Sequence, residues 1–271
     1  MYLVRKNLEL GLVEVCKPGD AGIEYVSLAL FRTDGGQRCS EKTGDFEVGL
    51  VVLSGLVDVR AGDIEMKNVG GRQDVFSGRA SAVFIPHKSS FEIRGTGLPA
   101  EVAVCRTIAA GDGDIRLILP EDVRVRKVGV HNWMREVHDI IDLRTPASRI
   151  VLGETFNPPG NWSSYPPHRH DEDRLPLEAN LEEVYHFRLK PPNGFAFQRI
   201  YTDDRSIDEV YTLANEDTVL IPRGYHPVAA APGYRLYYLW ILAGKERVLQ
   251  PFDDPGHAWI KGAEEIVKGM A

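Results

Sequence analysis

The sequence predicts a mostly β, effectively all-β, fold of two stacked barrels or sandwiches, and three observations predict it. First, 26 Gly and 17 Pro punctuate the 271 residues, and the stretches between them are short runs rich in β-branched residues, the pattern of many strands joined by turns. Second, helical periodicity is sparse. Third, each half carries a weak repeat: a strand led by Glu, a hairpin, and then a strand ending in Ile-Pro.

In chain order, the clearest strands are residues 48–53 (VGLVVL), 81–85 (SAVFI), 195–201 (FAFQRIY), 218–221 (TVLI) and 236–242 (LYYLWIL). A helix is expected over 261–270, and a helical turn near 205–211. The first repeat runs from EVGLVVLSGLVDV at 47–59 to FIPH at 84–87, and the second from EVYHF at 183–187 through Gly194 and 218–221 to PRGYH at 222–226. The join falls near 110–145, where GDGDIRLILPEDVRVRKVG makes the chain charged and irregular. The expected units are therefore residues 1–115, a metal-free barrel, and residues 116–271, a barrel with a metal site.

Lys plus Arg number 32 against 39 Asp plus Glu, a net charge of −7. A surface of that sign repels phosphate backbones and anionic headgroups, which argues against nucleic acid and membranes as partners. No segment approaches the ~20 apolar residues that span a bilayer, so a cytoplasmic protein is expected. The three cysteines, Cys16, Cys39 and Cys105, form no CxxC pair. They read as buried small hydrophobes rather than a disulfide or zinc framework.

The histidines carry the chemistry. Of eight, six follow residue 137 and two form an HxH in PPHRHDED. Strand alternation puts His168 and His170 on one face, about 6.5–7 Å apart, a separation that suits one metal between them. Imidazole pairs are completed by a carboxylate and usually a third ring. Glu183 in LEEVYHF and His226 in IPRGYHPV supply both, so the candidate ligands are His168, His170, Glu183 and His226. The plainer reading is a polar loop pair with two unrelated surface groups. In the first half CSEKTGDFEV holds no HxH, and FIPHKSSF offers only His87. That barrel is expected to serve packing and dimer contact, with His87 a structural or surface histidine rather than a ligand.

H-x-H, a Glu heading a strand, and P-x-G with a later His resemble the two-part cupin signature, which implies a double-stranded β-helix barrel. More narrowly, GNWSSYPPHRHD, LEEVYHFR, QRIYTDDRS, VLIPRGYHPV and AAPGYRLYYLWILAG resemble the 5-deoxy-glucuronate isomerase family of myo-inositol catabolism, across the whole chain. That family is similar to the uronate ketol-isomerases, bicupins with a His/His/Glu/His metal site. Two departures from the general cupin pattern are a longer spacer after His170 and PRGYH in place of P-x-G-x-x-H. They leave Glu182 open beside Glu183, with Glu178 a further contender. Strand parity favours Glu183, because Tyr185 and Phe187 then share its inward face while Glu182, His186 and Arg188 face out.

A metal with open positions can polarise a carbonyl and hold a neighbouring hydroxyl, as aldose–ketose isomerisation requires. The resemblance implies conversion of 5-deoxy-D-glucuronate to 5-dehydro-2-deoxy-D-gluconate, a small-molecule uronate substrate. The cofactor is one divalent metal ion, zinc first, with Mn, Fe, Ni or Co as alternatives. A guanidinium is the natural clamp for the carboxylate end. Arg199 is the first choice because Phe195, Phe197, Arg199 and Tyr201 alternate on one face; an ion pair with Asp203 or Asp204 is its structural alternative. Arg223 and Arg174 are the other clamps. Tyr185, then Tyr238, are candidates for the proton shuttle, or else barrel-wall aromatics with bonded hydroxyls. Two other functions fit the same ligands and fold: a metal-dependent dioxygenase and a non-catalytic sugar-binding or sensor protein. A homo-oligomer is left open.

Overall fold

Gly and Pro interrupt the chain so often that no strand exceeds ten residues, and a sheet of short strands must bury its apolar face against another. The computed structural model describes residues 1–270 and solves this twice. In the first half a six-stranded sheet, ordered Arg116–Ile118, Ala82–Ile85, Phe46–Ser54, Ala100–Ile108, Val26–Thr33 and Gly11–Cys16, faces a four-stranded sheet of Arg38–Lys42, Ser90–Gly95, Leu56–Ala61 and Ile64–Gly70. In the second half a seven-stranded sheet centred on Leu181–Lys190 and Arg235–Gly244 faces a four-stranded sheet containing Val228–Ala230 and Ala196–Tyr201. All pairings are antiparallel.

Each barrel has its own core, and a third core lies between the two large sheets, which pack back to back. The central strands are therefore buried on both faces, and parity decides which core a side chain enters. On Leu181–Lys190, Tyr185 and Phe187 point into the second barrel and Val184 into the inter-barrel core. Glu182, His186 and Arg188 do leave the barrel as parity predicts, but they are buried between the halves rather than solvated. Buried charges need partners. Glu182 accepts the backbone N–H groups of Glu24, Tyr25 and Val26 at 2.6, 2.7 and 2.7 Å, and Arg188 meets Glu101 at 2.8 Å.

Glu47 makes the mirror-image clasp, accepting the N–H groups of Ser148, Arg149 and Ile150. This corrects the alignment of the repeat by one residue. Val48 stands opposite Ile85 of the first Ile-Pro, just as Glu183 stands opposite Ile221 of the second. Glu47 thus corresponds to Glu182, and the first barrel carries a core valine where the second carries Glu183. His87 leans toward Asp112 at 3.5 Å and joins no cluster of metal-ligating side chains among the described residues.

The single α-helix among the described residues, Ile260–Met270, starts one residue before expectation. The helical turn expected near 205–211 is a tight turn, with Arg205 at φ +57°, leading into the strand Asp208–Leu213. Residues 110–145 are not irregular. Arg116–Ile118 extends the first barrel's sheet past residue 115, while Arg124–Val128 and Arg135–Ile141 form a hairpin in the second. Leu3–Val4, conversely, pairs with Thr218–Ile221 of the second barrel. The hairpin strands RVRKV and REVHDII mix charged and apolar residues on each face, so no period-two pattern marks them in the sequence. All three cysteines are free and buried, and burial pushes Cys39 up to about 11 and Cys16 up to about 12.

One ion pair ties the halves across the middle core: Arg72 Nη2 donates to Glu154 Oε1 at 2.5 Å, both side chains are almost fully buried, and Tyr237 donates to the same oxygen at 2.8 Å. Arg72→Met would strand the Glu154 charge, and a loss of about 3–5 kcal/mol in denaturant unfolding is expected. The double variant Arg72→Met/Glu154→Met should recover most of it.

Candidate metal centre

Three segments bring the candidate ligands together at one mouth of the second barrel. His168 begins a two-residue strand paired with Phe252–Asp253, and His170 follows it. Glu183 projects inward from Leu181–Lys190. His226 ends the turn after Ile221-Pro222, a turn that needs glycine: Gly224 has φ +97°, and a Cβ there would meet the Tyr201 carbonyl oxygen at 2.8 Å. The Gly224 N–H donates to Asp171 at 2.8 Å, so the residue after the HxH also holds the turn that delivers the third imidazole.

The ring nitrogens of His168, His170 and His226 lie within 4.8 Å of one another. Glu183 Oε2 stands 3.2 Å from both His170 Nε2 and His226 Nε2. The tautomers follow from the other ring nitrogens. His170 Nδ1 donates to the Leu181 carbonyl at 2.5 Å and His226 Nδ1 to the Gly224 carbonyl at 2.8 Å. A carbonyl only accepts, so each neutral ring presents its Nε2 lone pair to Glu183, which is also an acceptor. Acceptors facing acceptors require a cation between them, either a proton or a metal. His226 Nε2 is buried with no hydrogen-bond partner. The donor set fits a metal, with carbonyl partners orienting the ligating imidazoles from behind.

Electrostatics agree. Burial opposes the charge on Glu183, yet hydrogen bonds and charges from His170 and His226 outweigh it and hold the carboxyl at about 2. For His170, burial opposes protonation, but Glu183 and the Leu181 carbonyl raise it above the usual imidazole value. Burial and the neighbouring imidazoles push His168 well below, leaving its lone pair free.

The cluster opens on a cavity of about 310 Å³ whose wall includes Tyr185, Tyr238, Ser164, Trp240, Arg126 and Arg135. Tyr185 Oη lies 3.1 Å from Ser164 Oγ, and Tyr238 donates to Ser163 Oγ at 2.9 Å. Burial and the Glu183 charge drive the Tyr185 phenol well above its ordinary value.

Glu182 is the inter-barrel clasp described above. Glu178 is also buried, but it organises the spacer, accepting the Asp171 N–H and the Arg174 guanidinium, each at 2.7 Å. Arg199 is not at the cavity, and this corrects the clamp. Parity is the reverse of the expected one: Ala196, Gln198 and Ile200 are buried, while Phe195 and Phe197 are exposed. Arg199 lies on that outer face, bound side-on to Asp208 at 2.8 and 2.9 Å, a partner other than Asp203 or Asp204. The aromatic side chains Phe195 and Phe197 face solvent, and the smaller Ala196 and Gln198 face the core. Arg174 is tied to Glu178 and Arg223 is exposed, and neither lines the cavity. The arginines that do line it, Arg126 and Arg135, come from the hairpin hidden in the charged 110–145 stretch. RVRKV and REVHDII lack period-two alternation, and their β-branched Val and Ile residues are the strand signal they carry.

A sequence profile of the KduI/IolB family matches residues 2–260. The chain is 41% identical over 261 residues to the 5-deoxy-glucuronate isomerase of Geobacillus thermodenitrificans, covering 96% of this chain and 95% of that one. A solved IolB-like protein from Salmonella typhimurium superposes with a TM-score of 0.93 at 35% identity, over 96% of this chain and 99% of that one. An oxalate decarboxylase from Lactobacillus farciminis, at 11% identity and a TM-score of 0.66 over 99% and 93% of the two chains, shares the bicupin fold alone.

If the four side chains hold one ion, elemental analysis should find one metal per chain, lost in His226→Ala and His168→Ala. Chelation should leave the far-UV circular dichroism unchanged, because both barrel cores close without the ion. Metal affinity should fall as pH drops through the raised His170 value, since a metal needs the lone pair that the proton takes. Full occupancy in both alanine variants would refute the assignment.

Proposed function

Since the chain belongs to the KduI/IolB family, we propose that it isomerises 5-deoxy-D-glucuronate to 5-dehydro-2-deoxy-D-gluconate with one divalent metal held by His168, His170, Glu183 and His226. The observation that carries this reading is the convergence of three imidazoles and a carboxylate beside a cavity of about 310 Å³, the size of a small-ligand site, with His168, His170 and Glu183 on its wall. Zinc is the first candidate for three nitrogens and one oxygen, and Mn, Fe, Ni and Co are accepted by the same donors. When bound, such an ion supplies Lewis-acid polarisation of the sugar carbonyl and its neighbouring hydroxyl.

The reaction moves one proton from C2 to C1 and one between the two oxygens, so no external oxidant enters. The chain's part is to orient the aldehyde end and manage those protons. Tyr185 is a neutral phenol near pH 7, because burial and Glu183 both oppose its ionisation. It therefore acts as a proton donor to a sugar oxygen rather than as the initial base. Tyr238 commits its proton to Ser163, which also accepts from Asn157 at 2.9 Å, and so holds the wall against which Tyr185 packs at 4.4 Å between ring centroids. Among the described residues no helix is long and apolar enough to cross a membrane. Three free buried thiols suit a reducing compartment, and we place the enzyme in the cytoplasm.

Metal-loaded protein should convert the uronate's aldehyde to a ketone without oxygen uptake. Tyr185→Phe should lower kcat by roughly 10²- to 10⁴-fold at unchanged metal content. Stoichiometric oxygen consumption would favour the dioxygenase reading, and binding without turnover the sensor reading.

A further inference from the structure

Arg135 is the charged group in the cavity that nothing in the fold neutralises. It lines the same cavity as His168, His170 and Glu183. No carboxylate among the described residues lies within ion-pair distance of it. The acid that acts on it from farther off, Glu264, is itself bound to Lys268 at 2.6 Å and to the Trp133 indole at 3.4 Å. Burial pulls the guanidinium below its ordinary value; Arg247 is pulled down in the same way, but its Nε, Nη1 and Nη2 all donate to backbone carbonyls, of Ile150, Thr145 and Asp142. A half-buried cation without a counter-ion is costly, and it persists where a ligand supplies the missing charge.

Its hydrogen bonds show which edge is available. Nη1 donates to the carbonyl oxygens of Trp133 and Tyr165 at 3.3 and 3.1 Å, which anchors one corner of the guanidinium. Nε and Nη2 have no partner among the described residues. That is the edge this chain uses elsewhere to grip carboxylates side-on: Arg126 holds Asp139 through Nε and Nη2 at 2.7 and 2.8 Å, and Arg199 holds Asp208 in the same way. Arg126, the other arginine on the cavity wall, is already satisfied by Asp139. Strand parity fixes the direction, because Arg135 and Val137 line the metal cavity while Glu136 and His138 line a separate cavity on the opposite face of the strand.

We propose that Arg135 receives the substrate's carboxylate in a bidentate fork through Nε and Nη2, and so makes the site select an aldose acid over a neutral aldose. The proposal deepens the isomerase reading and rests on it for the identity of the other end of the ligand. A remote carboxylate does not react, so the contact is nearly equal in ground and transition states and should appear in KM rather than kcat.

The test compares wild type, Arg135→Met and Arg135→Lys, each metal-loaded, with matched circular dichroism and metal content. Two probes are titrated calorimetrically: the non-isomerisable acid in which the uronate's aldehyde is reduced to an alcohol, and its neutral counterpart with the carboxylate also reduced. Arg135→Met should weaken acid binding and kcat/KM for the uronate by roughly 10- to 150-fold, the loss expected for a charge-assisted pair. It should leave the neutral probe unchanged. Arg135→Lys should recover only part of the loss, because a point charge cannot make the fork. If Arg135→Met does not fold, the lysine variant and the wild-type preference for acid over neutral probe decide. The proposal is overturned if wild type binds both probes equally, or if the variants bind the acid as tightly as wild type. Failure of wild type to turn over the uronate would instead sink the isomerase reading, and the binding arm would still stand.

Discussion

Two imidazoles, on His170 and His226, each give their Nδ1 proton to a backbone carbonyl and turn their Nε2 lone pairs on the same oxygen of Glu183. Without a cation this contact is repulsive, and with one it closes into a coordination shell. Much of the second barrel exists to hold it. The Gly224 turn, pinned by Asp171, places one imidazole, and the strand register that sets Glu183 opposite Ile221 places the carboxylate. The first barrel does not repeat this carboxylate. At the equivalent register it has Val48, an apolar side chain that packs its own core and offers no lone pair.

Back-to-back packing of the two large sheets explains the rest of the polar placement. A strand buried on both faces has no solvent side, so residues that parity sends out of the barrel meet the other half. Glu47 and Glu182 become paired clasps, each capping three backbone N–H groups of the opposite half. Arg72 and Glu154 neutralise each other in the same layer. Glu182 and Glu183 are thus adjacent carboxylates with separate duties, one clasping the other half and one facing the His170 and His226 imidazoles.

The all-β class, the duplicated barrels and the convergence of His168, His170, Glu183 and His226 were legible because period-two alternation and turn residues act locally. What was hidden depends on context that a single strand does not carry. FAFQRIY has an aromatic face and a small polar face, and the smaller one, with Ala196 and Gln198, is the buried one; hydrophobicity alone pointed Arg199 inward. The 124–141 hairpin hid because its strands mix arginine with valine on one face, Arg126 with Val128 and Arg135 with Val137, and a charge facing a ligand cavity looks in sequence like a charge facing water. Arg135 could not be chosen over other arginines without seeing that the other candidates already have acids or solvent beside them. The equivalence of Glu47 with Glu182 rather than Glu183 required the register of the partner strand.

The central claim is that a metal ion occupies the gap between the Nε2 atoms and Glu183. Anomalous diffraction from crystals of protein loaded with a single transition metal, collected on both sides of its absorption edge, tests it most directly. The account predicts one edge-dependent peak per chain, within bonding distance of His168, His170, His226 and Glu183 Oε2. A peak elsewhere, or none at this position with His170 hydrogen-bonded to Glu183 as an imidazolium, would contradict it.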